Sequence, residues 1–543
     1  MSGALGAPSL MQRNLRAGAW RGAESPTGRA GQGSVHRTRC PRSDTGASDD
    51  TCGMPRSAAA PPPAADAARA LPDPRRTWRI LDDRRLPALE PFAADVRRHG
   101  TVTVRETVWD SDDRVLAAEG VVLTRLPDGT WTIDRGAHGV GPEPLDGASD
   151  DPPRDAVEVF LRGRPLRTVL VRDTTTTLVT LRGRDSRVRA EVADVRVDDG
   201  DPDTTVLRSS RWWALTDDGR DGATARAAER ALHDAATDPM DVASVPLPRG
   251  PEPAPERRRG RAKRPRSDTA AGFVLRVIDA LRRDLVAVDP RVRADEPEAV
   301  HDLRKVLRRL RSVLAAFRGA LDRQATEELR ALLAETGRIA GTARDAEVLH
   351  AGLFRSAAHA PDGYVDAETL DRIGAETADR RSVAAAELRR ALRSDAWFRT
   401  LDALDDLLLR APAGPHADDA AAAFATRRIR HERARVGRLL GDPSDDLDTL
   451  HEVRKAARRL RYALHAAGDL PDVGKRRLGR LRRVQETLGE TLDAAHAADA
   501  YRRLAAVAAQ HGEDTFGYGV LATTEQAAST QGLHRSRKLL ARL

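Results

Sequence analysis

The sequence predicts a multidomain chain. An α+β domain on a mostly antiparallel sheet comes first, and an all-α bundle of two related halves follows. Three observations carry this. The chain has 543 residues, room for more than one domain. From about residue 75 to 240 the apolar residues alternate or cluster in β-branched runs. From Thr269 to Leu543 nearly everything has helical period, and a basic motif occurs there twice.

Residues 1–73 are rich in Gly, Ser, Ala, Pro and Arg, have no hydrophobic period and are expected to be disordered. Met54 is read as the true start, with residues 1–53 an over-extended reading frame. The two cysteines, Cys40 and Cys52, belong to no ligand-spaced cluster, which argues against a disulfide framework or a structural zinc site. No apolar run approaches a membrane span, and the first 30 residues lack the apolar centre of a signal peptide. A reducing cytoplasm is the expected location, with no membrane partner.

Strands are predicted at TVTVRETVW (101–109), GVVLTRL (120–126), GTWTIDR (129–135), AVEVFLRG (156–163), LVTLRG (178–183) and VRAEVADVRV (188–197). PDGT at 127–130 reads as a hairpin turn. ATARAAERALHDAA (223–236) reads as a helix closing this α+β domain, bounded at 74–240. Residues 241–268 form a linker. Its ERRRGRAKRPR run (256–266) carries seven bases and reads either as a solvated linker or as a polyanion-seeking tail. The helical domain, 269–543, reads as about ten helices in repeats near 269–410 and 411–543.

The repeat is explicit. His301-Asp-Leu-Arg-Lys-Val-Leu-Arg-Arg-Leu-Arg311 is matched by His451-Glu-Val-Arg-Lys-Ala-Ala-Arg-Arg-Leu-Arg461, with seven of eleven positions identical. Gly341-Thr-Ala-Arg-Asp345 is echoed by Gly489-Glu-Thr-Leu-Asp493. On a helix, Arg304, Lys305, Arg308, Arg309 and Arg311 share a face about 160° wide with His301 near its centre. Leu303, Val306, Leu307 and Leu310 fall opposite. Arg454, Lys455, Arg458, Arg459 and Arg461 repeat the strip around His451.

Like charges three and four residues apart destabilise a bare helix, so two such strips suggest an anion that offsets the repulsion. Arginine grips phosphate oxygens with a planar fork and lysine adds a point charge. The alternative is a solvated face with acidic neighbours. A metal is not expected, because each histidine sits among arginines that repel cations. Lys plus Arg exceeds Asp plus Glu by only 90 to 82, so a basic function must come from clustering. Aromatics are 3% of residues, few for a nucleic-acid binder that works by stacking, and no recognition motif is present; nucleic acid is not the expected partner.

The paired His-x-x-Arg-Lys-x-x-Arg-Arg-Leu-Arg helices, with Asp289-Pro290 before the first and Gly341…Arg344-Asp345 after it, resemble a CHAD domain over roughly 270–540. The resemblance implies a bundle of two pseudo-symmetric halves that binds inorganic polyphosphate. It assigns binding to His301, Arg304, Lys305, Arg308, Arg309 and Arg311 and to their counterparts His451, Arg454, Lys455, Arg458, Arg459 and Arg461. KRRLGRLRR (475–483) would add Lys475, Arg476, Arg480 and Arg483 as secondary contacts, or be a solvated face. A place on polyphosphate granules follows from the same resemblance.

The α+β domain resembles a CYTH domain, a β-tunnel that hydrolyses triphosphates with metal ions, in the run of VTVRETVWDSDDRVLAAEGVVLTRLPDGTW (102–131) and in AEVADVRV (190–197). That family's Glu-x-Glu-x-Lys signature, where carboxylates hold metal and lysine holds phosphate, is missing from the expected first strand, RTWRILDD (76–83). SSRWWALTDD (209–218) has tryptophans where the family has acids, and Glu191 is the one acid in a matching strand. Arg125, Arg172 and Arg189 remain as candidate tunnel bases. The expectation is a degenerate, tunnel-like domain with no catalytic residue and no cofactor. The alternatives are a triphosphatase using magnesium or manganese, and a generic polyanion or nucleic-acid binder.

Overall fold

The longest strands form where threonine and valine are densest. In a computed structural model, β1 (Arg76–Arg79), β2 (Asp95–Asp110), β3 (Val122–Arg125), β4 (Trp131–Asp134), β5 (Glu143–Leu145), β6 (Arg167–Arg182), β7 (Val188–Gly200), β8 (Leu207–Asp217) and β9 (Asp238–Met240) make one antiparallel sheet. Its order is β5-β4-β3-β2-β6-β7-β8-β1-β9. The structure describes residues 76–81, 83–136, 143–145, 150–202, 207–217, 222–236, 238–240, 265–440, 447–468 and 478–540. Cys40, Cys52, Met54, most of the basic linker run, and Lys475 and Arg476 lie outside these residues.

β2 and β6 are sixteen residues each and pair along most of their length. Cross-strand threonines bond at Thr101–Thr177 (2.9 Å) and Thr103–Thr175 (3.1 Å), and Arg105 closes the row on Asp173. β-Branched side chains suit this pleated surface. The β3–β4 hairpin turns at Gly129, whose φ of 85° favours glycine, and Leu126 N–H bonds Thr130 O at 2.8 Å. α1 (Val115–Ala118) precedes that hairpin, and α3 (Gly222–Ala235) covers the sheet by burying Ala225, Ala228 and Leu232 against Trp78, Val179, Val192 and Trp213.

One predicted strand is a helix. AVEVFLRG (156–163) forms the end of a 3-10 turn and then α2 (Glu158–Leu161). Its apolar run is too short to separate period 2 from period 3.6. Glu158 decides the outcome locally. Its carboxylate accepts from Arg154 Nε at 3.0 Å and from Gly163 N–H at 2.6 Å, closing the turn on itself. Val157 and Leu161 pack under the β3–β4 hairpin, whereas Val159 enters the helical core.

The helical segment has nine helices among the described residues. They are α4 (Ala270–Arg293), α5 (Ala299–Ala316), α6 (Arg323–Ala358), α7 (Ala367–Ala391), α8 (Asp395–Arg410), α9 (Ala421–Leu440), α10 (Leu447–Ala466), α11 (Leu478–Gln510) and α12 (Phe516–Leu540). Side-chain caps start several of them: Asp322 accepts from Ala325 N–H at 2.9 Å and Asp366 from Thr369 N–H at 2.7 Å. One core joins α4, α5, α8, α9 and α10 through Phe273, Leu303, Leu310, Leu404, Phe424 and Leu460. A second joins α6, α7, α11 and α12 through Leu353, Ile373, Tyr501 and Leu521. No helix among the described residues is long and apolar enough to cross a membrane.

Sheet and helices lie in one compact unit, Ala65–Leu543, and meet through ion pairs as well as through Val159 and Phe160 packed in the helical core. Arg162 at the end of α2 reaches Asp402 and Asp405 on α8. Arg282 on α4 bonds Asp405 and, at 2.9 Å, Glu119. Asp155 pairs with Arg393, while Phe398 packs over Gly163, whose φ of 84° favours glycine.

Candidate functional site

The site is built on α5 and α10, which pack against one another. In α5 the apolar positions Leu303, Val306, Leu307, Leu310 and Val313 recur at helical spacing and are all buried. That burial turns the opposite face outward: Lys305 is exposed, and His301, Arg304, Arg308, Arg309 and Arg311 are half-buried. In α10, Val453, Ala456, Ala457, Leu460 and Leu464 are buried; His451 and Lys455 are exposed, and Arg454, Arg458, Arg459 and Arg461 are half-buried.

Two neighbouring helices place a glycine beside one arginine of each strip, and at Gly489 a side chain would crowd it. A Cβ added at Gly341 on α6 would lie 3.8 Å from Arg304 Nη2; one added at Gly489 on α11 would lie 3.1 Å from Arg454 Nη2. One helical turn further on, Asp345 accepts from Arg304 Nη1 at 3.0 Å, and the charge of Asp493 acts on Arg454. The echoed Gly…Asp spacing therefore lies beside a guanidinium in each half.

The arginines divide into two groups. Arg309 pairs with Asp284 on α4 at 3.4 Å, and Arg459 with the buried Glu432 on α9 at 2.6 Å. Lys305 and Lys455 lie near carboxylates of their own helices, Asp302 at 3.7 Å and Glu452 at 2.8 Å. Arg308, Arg311, Arg458 and Arg461 have no carboxylate partner among the described residues. Arg308 Nε instead donates to the Tyr462 hydroxyl at 3.4 Å, and Arg461 lies over the Tyr462 ring, 4.9 Å from its centroid.

This crowding shows in the ionisation of the groups. Burial, then the charges of Arg308 and Arg454, depress the Arg458 guanidinium to about 9. Burial also lowers Arg454, with Arg308 and Arg304 adding to the effect and Asp493 opposing it. His301 is lowered by burial and by Arg344, and His451, though largely exposed, by the partial burial of its ring and by Lys455 and Arg454, so both imidazoles resist protonation. Arg304, Arg308, Arg454 and Arg458 therefore press on one another across the α5–α10 junction.

Residues 276–502 match the family model for the CHAD domain. This part of the helical segment is a CHAD domain. Two proteins described only as uncharacterized, from Mycobacterium tuberculosis (strain CDC 1551 / Oshkosh) and from a second strain of that species, are each 32% identical over 287 residues, 51% of this chain. The chain spans about half the length of these relatives. Among solved structures, the CHAD domain from the plant Ricinus communis is similar at 24% identity and a TM-score of 0.44, covering 52% of this chain and 96% of that one. PptA from Streptomyces chartreusis is similar at 20% identity and a TM-score of 0.39, covering 51% of this chain and all of that one.

Of the expected secondary contacts in the CHAD domain, Arg483 is exposed on α11 and Arg480 falls in the same helix. Sequence reasoning missed Arg330, whose guanidinium is lowered by burial and by the charges of Arg318 and Arg311 although its ion pair with Glu327 opposes the shift. A signal was available: Arg330 precedes Gly341 by three helical turns and so shares its face of α6. It also missed Arg428, which caps α5 by donating to Ala316 O at 2.7 Å.

In the sheet, the candidate tunnel bases already have partners. Arg125 pairs with Asp150, Arg189 with Asp185 at 2.8 Å, and Arg172, only 4% exposed, with Asp199 through two bonds of 2.6 and 2.7 Å. Trp212 and Trp213 are buried on opposite faces of β8, the first with Val195 and Val197 and the second with Trp78 and Val192. Glu191 sits on β7 between Thr180 and Thr216. Among the described residues no group of three or more His, Cys, Asp or Glu is placed to hold a metal ion.

Proposed function

We propose that the CHAD domain binds inorganic polyphosphate at the α5–α10 junction. The family is associated with polyphosphate binding in general, and the cluster of arginines without carboxylate partners is the observation that carries the reading to these residues. Arg308 and Arg458, supported by Arg304 and Arg454, supply forks for successive phosphates, and Arg311 and Arg461 extend the track. Lys305 and Lys455 add mobile charge at the edge, and His301 and His451 add hydrogen bonds. A polyanion removes the mutual repulsion of these groups, so its binding is favoured by what makes the empty site costly.

The two strips are read as products of one duplication, which accounts for the shared motif and the echoed Gly…Asp spacing. The sheet is read as a degenerate CYTH-like tunnel that holds rather than cleaves. Its candidate bases are neutralised by Asp150, Asp185 and Asp199, which supports a degenerate domain and leaves polyphosphate to the helical strips. Attachment to polyphosphate granules in the cytoplasm is the matching cellular role.

Changing Arg304, Arg308, Arg454 and Arg458 to Glu in the full chain should abolish binding of long polyphosphate while helical circular dichroism stays intact. Affinity of the parent protein should fall steeply with salt, as for other polyanion contacts. Persistent binding in the variant would move the site elsewhere. Equal competition by RNA and duplex DNA would reduce the function to generic polyanion binding.

A further inference from the structure

We propose that Tyr462 is the positioning residue of the arginine cluster, tying the two strips together so that Arg308 and Arg461 stand ready for a phosphate chain. The inference rests on the polyphosphate reading and goes beyond it by assigning a role to an uncharged residue. Tyr462 follows the second motif on α10 and is 5% exposed. Its hydroxyl accepts from Arg308 of α5 and its ring lies beneath Arg461 of α10. One buried side chain thus holds a guanidinium from each strip.

The choice of a phenol has a physical reason. A carboxylate would also orient Arg308, as Asp345 does Arg304 and Glu432 does Arg459. It would neutralise the guanidinium as well, and would compete with phosphate. A phenol accepts one hydrogen bond and leaves the positive charge in place. The ring does the same for Arg461 through a cation–π contact. Fewer arginine rotamers then remain to be frozen when an anion arrives. The tie has a single origin, because the position of Tyr462 in the first repeat, 150 residues earlier, is Ser312. Burial opposes ionisation of the phenol, but Arg308 from α5 and Arg461 and Arg458 from α10 outweigh it and hold Tyr462 below the ordinary tyrosine range.

A double-mutant cycle in the full chain tests the tie. Tyr462→Phe keeps the ring and removes the hydroxyl, and should weaken long-chain polyphosphate binding about three- to tenfold. In an Arg308→Ala background the same change should cost little more. Wild-type affinity in Tyr462→Phe, or an equal loss in both backgrounds, overturns the proposal. A ligand-free reading accompanies it. Of the four tyrosines, one should ionise early by ultraviolet absorbance; it should vanish in Tyr462→Phe and move upward in Arg308→Ala. An ionisation unmoved by Arg308→Ala also overturns the tie. A wild-type protein that binds no polyphosphate yet shows the Arg308-dependent ionisation would instead overturn the reading on which the tie rests.

Discussion

His301 and His451 occupy matching positions in the two strips, and both are harder to protonate than a free imidazole. For His301 burial acts first and Arg344 next; for His451 burial acts first, then Lys455 and Arg454. Two opposite pH effects follow. In the ligand-free protein the folded pKa lies below the unfolded one, so the unfolded chain binds protons more readily. The stability these histidines contribute is present above about pH 6.5 and is lost as pH falls through the folded values. Polyphosphate bound as proposed would reverse the local field and raise both imidazoles, so binding would take up protons. Affinity should therefore strengthen as pH falls from about 7.5 to about 5.5, while the thermal midpoint of the free protein falls over the same window. Replacing both histidines with Asn should flatten the affinity profile. An affinity that is flat or weakens on acidification in the parent protein would remove the histidines from the site.

At the scale of one helix, neighbours in sequence have opposite surroundings. Arg458 and Arg459 differ by one residue on α10 and point about 100° apart. Arg459 neutralises Glu432, which is 1% exposed on α9. Arg458 meets other guanidinium groups. Arg459→Ala leaves a buried carboxylate without its partner and should cost about 3–5 kcal/mol of stability. Arg458→Ala relieves repulsion, so chemical denaturation should show a neutral or slightly stabilising effect, while polyphosphate affinity drops. Equal destabilisation by both would erase the distinction between a pairing arginine and a binding one.

The two strips were legible as helix faces because eleven residues are three turns, long enough for the period to separate bases from Leu303, Leu307 and Leu310. Which bases stay without carboxylates was not legible. Glu432 and Asp284 reach the strips from other helices, and no spacing rule connects them to Arg459 and Arg309. Tyr462 reads in isolation as one more buried aromatic. AVEVFLRG failed for the opposite reason: its apolar run is short and β-branched, and the bond from Glu158 to the Gly163 amide that makes it a turn of helix is invisible to periodicity.

Across the whole molecule, the sheet and the helices are joined by charges about 240 residues apart in sequence, which no pattern in the chain announces. Asp405 is the hub. Burial acts against its ionised form, yet Arg162 and Arg282 hold its pKa below the usual range. Both arginines are largely buried, 12% and 14% exposed, so screening by solvent and salt is weak there. Asp155 and Arg393 form the contrasting pair at the rim, each exposed by nearly half. α4 carries Arg282 and also Asp284, the partner of Arg309 in the first strip, so one helix links the docking to that strip. Asp405→Ala should cost about 3 kcal/mol because it leaves two part-buried guanidinium groups short of an anion. Arg393→Ala should cost under about 1 kcal/mol. Two probes can follow the halves separately. Five of the seven tryptophans, Trp78, Trp109, Trp131, Trp212 and Trp213, report on the sheet, and helical circular dichroism reports mainly on the bundle. In the parent protein the two melting curves should coincide, as for a unit held together by its interface. In Asp405→Ala they should separate, with the sheet melting first, since it has the smaller core and loses the support of α4 and α8. Curves that stay coincident and unmoved would mean that the ion pairs touch without holding, and that the apolar contacts of Val159 and Phe398 carry the docking instead.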